Sequence, residues 1–209
     1  MRRTILLASV IALVLSACSP STENGTPAPT TGDARPIPSS TTGQLPGPGV
    51  PKVDDPINLV QIKTTPCKAL TSAQVKELLG SEGETRERLD GSSGPSCLWA
   101  PHSATRPTVS VLFSKAPDRG MTSVYEAKGT TYKLFEPLGS IDGYPVTAYG
   151  TEDERASRGK CSVALGTSDN ETIDIVLEQS EANIGKKDPC DAAREAAIRV
   201  LATVRGGGN

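Results

Sequence analysis

The chain has 209 residues with 36% hydrophobic, 22% charged and 3% aromatic content and a formal net charge of −2, a length that suits one domain better than two. Its single His, His102, and five Cys argue against a multi-His metal site or a His-based catalytic network, so no metal or cofactor is expected. The slightly acidic balance argues against the basic footprint of a nucleic-acid binder.

Met1-Arg2-Arg3 is a short basic start, and residues 5–15 are apolar. That run suits a secretory signal and falls short of the roughly 20 residues that a spanning helix needs. It ends in Leu15-Ser16-Ala17-Cys18, which resembles the bacterial lipobox, in which the peptidase cleaves after the small residue and the Cys carries the acyl chains. Residues 1–17 are therefore read as a lipoprotein signal peptide and Cys18 as the lipidated first residue of the mature chain. Two or three acyl chains, palmitate among them, hold a protein on a membrane where one chain is marginal. The expected location is the outer face of the cytoplasmic membrane, with the membrane as partner through the lipid on Cys18.

From Ser19 to Ile57 the chain is rich in Pro, Ser, Thr and Gly, and nine of the 17 prolines fall there. Few large apolar groups offset the cost of ordering it, so residues 18–57 are read as a lipidated Cys followed by a disordered tether. A Thr/Ser/Pro-rich stalk is also a candidate for O-linked sugars.

Residues 58–209 are read as one folded domain. Thr71-Ser-Ala-Gln74 is a capping-box pattern that opens a helix with Val75, Leu78 and Leu79 on one face and Gly80 as its stop. Strands are expected over 96–100 and 108–114, the second with Val109, Val111 and Phe113 on one side. A short helix is expected over 121–128. Asp142-Gly143 turns the chain into a strand over 144–149, and strands over 160–165 and 172–178 form a hairpin around a loop at 166–170. Asp188 as N-cap, Pro189 in the first turn and the stripe Ala193, Ala197, Val200, Leu201 and Val204 define a C-terminal helix that Gly206 ends. Helix, strands, short helix, strands and helix make an α+β fold: an antiparallel β-sheet packed by N- and C-terminal helices.

Cys67, Cys97, Cys161 and Cys190 are an even number in an exported domain, with none of the close pairs a zinc site uses, and are read as two disulfides. Cys67 and Cys190 each follow a Pro at a helix start, while Cys97 and Cys161 lie in strands. Matching like environments gives Cys67 with Cys190 and Cys97 with Cys161 as the expected pairs, among three that the sequence permits.

Pro66-Cys67-x-x-Leu70-Thr71-x-x-Gln74-Val75-x-x-Leu78-Leu79-Gly80, Cys97-Leu98-Trp99, Gly143-Tyr144-Pro145, Cys161-Ser162-Val163 and Asp188-Pro189-Cys190-Asp191-Ala192-Ala193 together resemble the actinobacterial lipoproteins grouped as domain of unknown function 3558. The resemblance covers essentially all of residues 58–205. It implies an exported envelope protein and brings neither an established activity nor catalytic residues.

Gly91-Ser-Ser-Gly94 and Gly139-Ser-Ile-Asp-Gly143 both miss the nucleophile elbow of a serine hydrolase, and only His102 offers a base. No catalytic residue is assigned, and Glu152-Asp153-Glu154-Arg155 reads as a solvated charged loop. Trp99, Tyr132, Tyr144 and Tyr149 are the candidates for a ligand or partner surface. The expected function is a non-enzymatic binding or interaction module of the cell envelope, with an envelope protein as partner. The alternatives are a carrier or sensor that holds an apolar ligand between helices and sheet, and a carboxylate-based hydrolase.

Overall fold

The computed structural model describes residues 43–101, 107–115 and 119–206. The signal segment, Cys18, the first part of the tether and His102 lie outside the described residues. The helices are α1 (Val60–Thr64), α2 (Ser72–Leu79), α3 (Met121–Glu126), α4 (Arg155–Arg158) and α5 (Pro189–Arg205), with a 3₁₀ turn at Pro66–Ala69. The strands are β1 (Glu84–Arg88), β2 (Ser96–Ala100), β3 (Thr108–Phe113), β4 (Leu134–Ile141), β5 (Tyr144–Gly150), β6 (Lys160–Ser168) and β7 (Glu171–Glu178). They form one seven-stranded antiparallel sheet in the order β1-β2-β3-β7-β6-β5-β4. The α+β expectation holds, with the helices against an antiparallel sheet.

The strand period of two divides the sheet into two faces. Cys97, Trp99, Val109, Val111, Phe113, Ile173, Ile175, Leu177, Cys161, Val163 and Leu165 all point to one face and are buried. That face carries α5, α2 and the 3₁₀ turn, and its residues form the main core with Val75, Leu79, Ala193, Ala197, Val200 and Leu201. Buried side chains of the sheet meet those of α5 in this layer. Small Ala193, Ala196 and Ala197, all at 0% exposure, let α5 lie close on β6 and β7.

Local signals account for the helix ends. In α2 the Gln74 amide donates to Thr71 Oγ1 at 3.3 Å and the Thr71 amide donates to Gln74 Oε1 at 2.7 Å, which satisfies two otherwise unpaired donors. Gly80 ends the helix at φ 74°, where a Cβ would be strained. In α5 the Cys190 amide donates to Asp188 Oδ1 at 2.8 Å and Pro189 occupies the first turn.

Two strands lie where the sequence reading placed none. β1, Glu-Thr-Arg-Glu-Arg, is exposed along its whole length and lacks apolar alternation because it is an edge strand. β4 contains Pro137 and Gly139 and is interrupted between Pro137 and Ser140; as the other edge it tolerates a missing donor and a bulge. Asp142 and Gly143, at φ 50° and 89°, make the tight turn that joins β4 to β5.

Part of the stretch read as a tether, from residue 47 onward, makes specific contacts with the domain. The Gly47 amide donates to Thr122 Oγ1 at 3.0 Å, the Val53 amide to Asp169 Oδ1 at 2.9 Å and the Ile57 amide to the Thr167 carbonyl at 2.9 Å. Val53 and Leu59 are buried in the main core, and Val50 packs near α3. Residues 47–59 therefore strap the β6–β7 hairpin tip. Prolines that fix φ lower the entropy this segment loses on docking, so a Pro-rich composition is compatible with a strap.

The disulfide pairing is corrected. Cys67 bonds Cys97 and Cys161 bonds Cys190, each with Cα atoms 5.0 Å apart. Cys97 on β2 and Cys161 on β6 are separated by β3 and β7, so at about 4.8 Å per strand spacing they lie roughly 14 Å apart, twice the reach of a disulfide. Each strand Cys instead faces the helix start docked above it: the 3₁₀ turn over β2 and the first turn of α5 over β6.

Candidate functional site

The four aromatic candidates divide between the two faces. Trp99 is 2% exposed on the helix-facing side, in the same core as the disulfide half Cys97. Tyr144 is 4% exposed; its hydroxyl donates to the Asp55 carbonyl at 2.7 Å and the Arg205 guanidinium lies 5.7 Å from its ring centre. Neither contributes to an exposed surface, because both occupy positions whose parity points them away from it. Tyr132 and Tyr149 come together on the opposite face, with ring centres 4.9 Å apart and planes tilted by 48°.

That second face is only partly covered. Met121, Val124 and Ala164 form a small cluster there with Val50, Tyr125, Tyr132, Phe135 and Tyr149 around it. Gly166 makes the close seat of α3 possible, since a Cβ there would meet Met121 Cγ at 2.8 Å and Pro145 Cγ at 2.9 Å. Tyr125 meets Phe135 edge to face at 5.0 Å, and Lys128 Nζ lies 4.9 Å from the Phe135 ring centre. A chain with four Tyr, two Phe and one Trp thus collects four of these rings beside β5 and β6.

Strand register explains the arrangement. Phe135, Tyr149, Ser162, Val176, Ser110, Leu98 and Arg86 lie in one row across the sheet. Ala164 and Asp174 belong to the next row. Small Ser162 and Ala164 on β6 leave room for the Tyr149 ring to cross that strand, and its hydroxyl donates to Asp174 Oδ1 at 2.9 Å. Ser114 Oγ lies 3.2 Å from Asp174 Oδ2 and 2.8 Å from Thr172 Oγ1. Burial, and behind it the Asp174 charge, push the Tyr132 phenol above its ordinary value of 10.0, so Tyr132 stays a neutral donor at physiological pH.

The paired rings line a cleft of about 300 Å³ with Leu134, Thr151, Glu152, Glu154, Lys160 and Ser162. Its rim is an ion-pair network. Arg155 meets Asp153 at 2.8 Å and Glu136 at 2.9 Å, while Glu154 meets Arg158 and Lys160, both at 2.8 Å. The hydrogen bond from Arg155 holds the Asp153 carboxyl below its usual range against the opposing effect of burial, and the hydrogen bond from Lys160 does the same for Glu154. The 152–155 segment, expected as a solvated charged loop, is exposed at Glu152 and Asp153 and is tied to β4 through Arg155–Glu136 and to β6 through Glu154–Lys160. No group of three or more potential metal ligands occurs among the described residues. No helix among them is long and apolar enough to cross a membrane.

Two rings over a polar strand, with a carboxylate between strands and a charged rim, can supply contact area and directed hydrogen bonds to a bound segment. The family model described as Protein of unknown function (DUF3558) matches residues 13–203. The chain belongs to the DUF3558 family. No curated protein and no solved structure matches it. The DUF3558 match spans both disulfides, the strap and the Tyr132–Tyr149 cleft.

Proposed function

We propose that this DUF3558 member is a lipid-anchored extracytoplasmic lipoprotein whose domain is a non-enzymatic module, and that it binds a protein partner of the envelope through the Tyr132–Tyr149 cleft. The observation that carries the binding site is the ring pair itself: tyrosines offer large rigid contact area at small entropic cost and recur where interfaces concentrate their energy. The lipobox at Leu15–Cys18, the Pro-rich spacer and two disulfides support an exported, anchored module. Protonation states support binding over acid–base chemistry. Asp153 and Glu154 are held in their charged form and Tyr132 in its neutral form, the reverse of groups poised near neutral pH. Directly under α5 the fully buried Ala193, Ala196 and Ala197 close the layer on the sheet. The cleft of about 450 Å³ beside it, between α2, α5 and Leu177, is rimmed by charged Glu77, Asp191, Glu195 and Arg199, which suits a polar contact better than an apolar ligand.

Native mass spectrometry of the full chain, extracted in detergent from an envelope that processes lipoproteins, tests this reading. The expected spectrum shows the acylated chain and a protein-sized adduct that Thr151→Arg, placed on the exposed rim, removes. A lipid-sized adduct besides the covalent acyl chains, lost on denaturation, would overturn it in favour of a carrier. For the anchor, Cys18→Ala is expected to abolish incorporation of a clickable palmitate analogue and to release the protein from the membrane fraction; unchanged labelling would contradict it.

A further inference from the structure

We infer that the outer edge of β1, which no strand among the described residues covers, is a self-recognition strand that pairs two copies of this chain antiparallel about Thr85. The two edges of the sheet differ. β4 carries Pro137 and a bulge between Pro137 and Ser140, both of which blunt an edge against pairing. β1 has neither, and all five of its residues are exposed.

The backbone direction of β1 follows from the ladder. The Phe113 amide donates to the Pro95 carbonyl and the Ser114 amide to the Thr172 carbonyl. Odd-numbered residues of β2 thus bond β3, and its even-numbered residues face β1. Through the register Glu84↔Ala100, Arg86↔Leu98 and Arg88↔Ser96, the even residues of β1 bond β2. Gly83, Thr85 and Glu87 therefore aim their amides and carbonyls at the outer edge, an alternation that antiparallel geometry imposes.

A second copy satisfies those groups only if outward-facing residues oppose one another, which permits registers two residues apart. Charge selects among them. Pairing Thr85 with its own copy sets Glu84 opposite Arg86 and Glu82 opposite Arg88, each twice by symmetry. The neighbouring registers instead place Arg86 against Arg86 or Glu84 against Glu84. In the chosen register these charged residues occupy non-hydrogen-bonded positions, where side chains approach most closely, and directly opposed unlike charges stabilise while like charges destabilise. A two-fold contact must be self-complementary, and about Thr85 the sequence sets Glu82 and Glu84 against Arg88 and Arg86, with Glu87 opposite the uncharged Gly83. Arg86 and Glu84 also lie 3.7 Å apart within one chain, both exposed, so the dimer extends an existing pair into a charge ladder. The dimer carries one continuous sheet through both copies and keeps their Tyr132–Tyr149 faces on the same side. A contact limited to one strand per copy is small, which makes it weak and sensitive to salt.

Sedimentation equilibrium of the full chain in density-matched detergent, at graded protein and NaCl concentrations, tests the pairing with two variants whose folding is checked by circular dichroism. Wild type is expected to show a monomer–dimer equilibrium that weakens with salt. Arg86→Glu sets like charges opposite Glu84 twice and is expected to raise the dissociation constant by about tenfold or more. The swap Glu84→Arg with Arg86→Glu restores the complement and is expected to restore dimerisation. A monomer throughout, a dimer indifferent to Arg86→Glu, or a folded double swap that stays monomeric would each overturn the inference.

Discussion

The Tyr149 hydroxyl donates to Asp174 Oδ1 at 2.9 Å across the whole width of β6, from β5 to β7. The bond fixes the ring over Ser162 and beside Tyr132, so one hydrogen bond sets both the cleft floor and one of its walls. Tyr149→Phe keeps the ring and removes the donor. Its expected cost is about 0.5–1.5 kcal/mol, read as a lower midpoint in urea unfolding at unchanged slope. An unchanged midpoint would show that the bond does not hold the ring.

Non-reducing peptide mapping is expected to recover Cys67 with Cys97 and Cys161 with Cys190. The bridges close segments with separations of 30 and 29 residues, for which the chain-entropy account gives about 3–4 kcal/mol each. Replacing Cys161 and Cys190 together by Ala should therefore lower stability by that order while the other bridge stays intact. Recovery of Cys97 joined to Cys161 would contradict the strand order itself.

Acid should loosen the rim of the cleft. Asp153 and Glu154 are held below their ordinary values of 3.8 and 4.5 by hydrogen bonds from Arg155 and Lys160. A carboxylate whose folded value is depressed contributes stability that is fully present above its unfolded value and is lost as pH falls through the folded value. Unfolding midpoints are thus expected to be flat from pH 6 to about pH 5 and to fall below about pH 4.5. Asp153→Asn should remove part of that slope. An identical slope in this variant would show that Asp153 gains nothing from Arg155.

Ala197 is 0% exposed where α5 lies on the sheet. Ala197→Leu forces extra methylenes into a layer of buried side chains and should destabilise by about 1–3 kcal/mol, visible as a lower thermal midpoint. A neutral outcome would mean that the layer has room, and the case against a carrier cavity would fall with it.

Much of this architecture is written locally. The capping box at Thr71 and Gln74, the Asp188–Pro189 start of α5 and the alternation of Val109, Val111 and Phe113 each declare an element within a few residues. The edges escape such reading because β1 is exposed throughout and β4 buries only its end residues, Leu134 and Ile141. β1 alternates only charges, and β4 carries a Pro and a Gly that usually argue against a strand. Pairing of the cysteines escaped for a different reason: environments of the same type need not be adjacent, and strand order decides which sulfurs meet. Tyr132 and Tyr149 were legible as aromatic candidates, but their separation from Trp99 and Tyr144 depends on register, which places residues of equal chemistry on opposite faces. The Asp174 partner had no sequence signal beyond its polar place between apolar Ile173 and Ile175.

Binding at the Tyr132–Tyr149 cleft is tested most directly by placing a photo-crosslinking amino acid at Thr151, on the exposed rim, in cells that express the full chain. The account predicts one discrete crosslinked protein of reproducible mass, lost when Tyr132→Ala is added and retained when the same probe chain carries Arg86→Glu. Equal crosslinking with and without Tyr132, in a variant whose fold is intact, would contradict it.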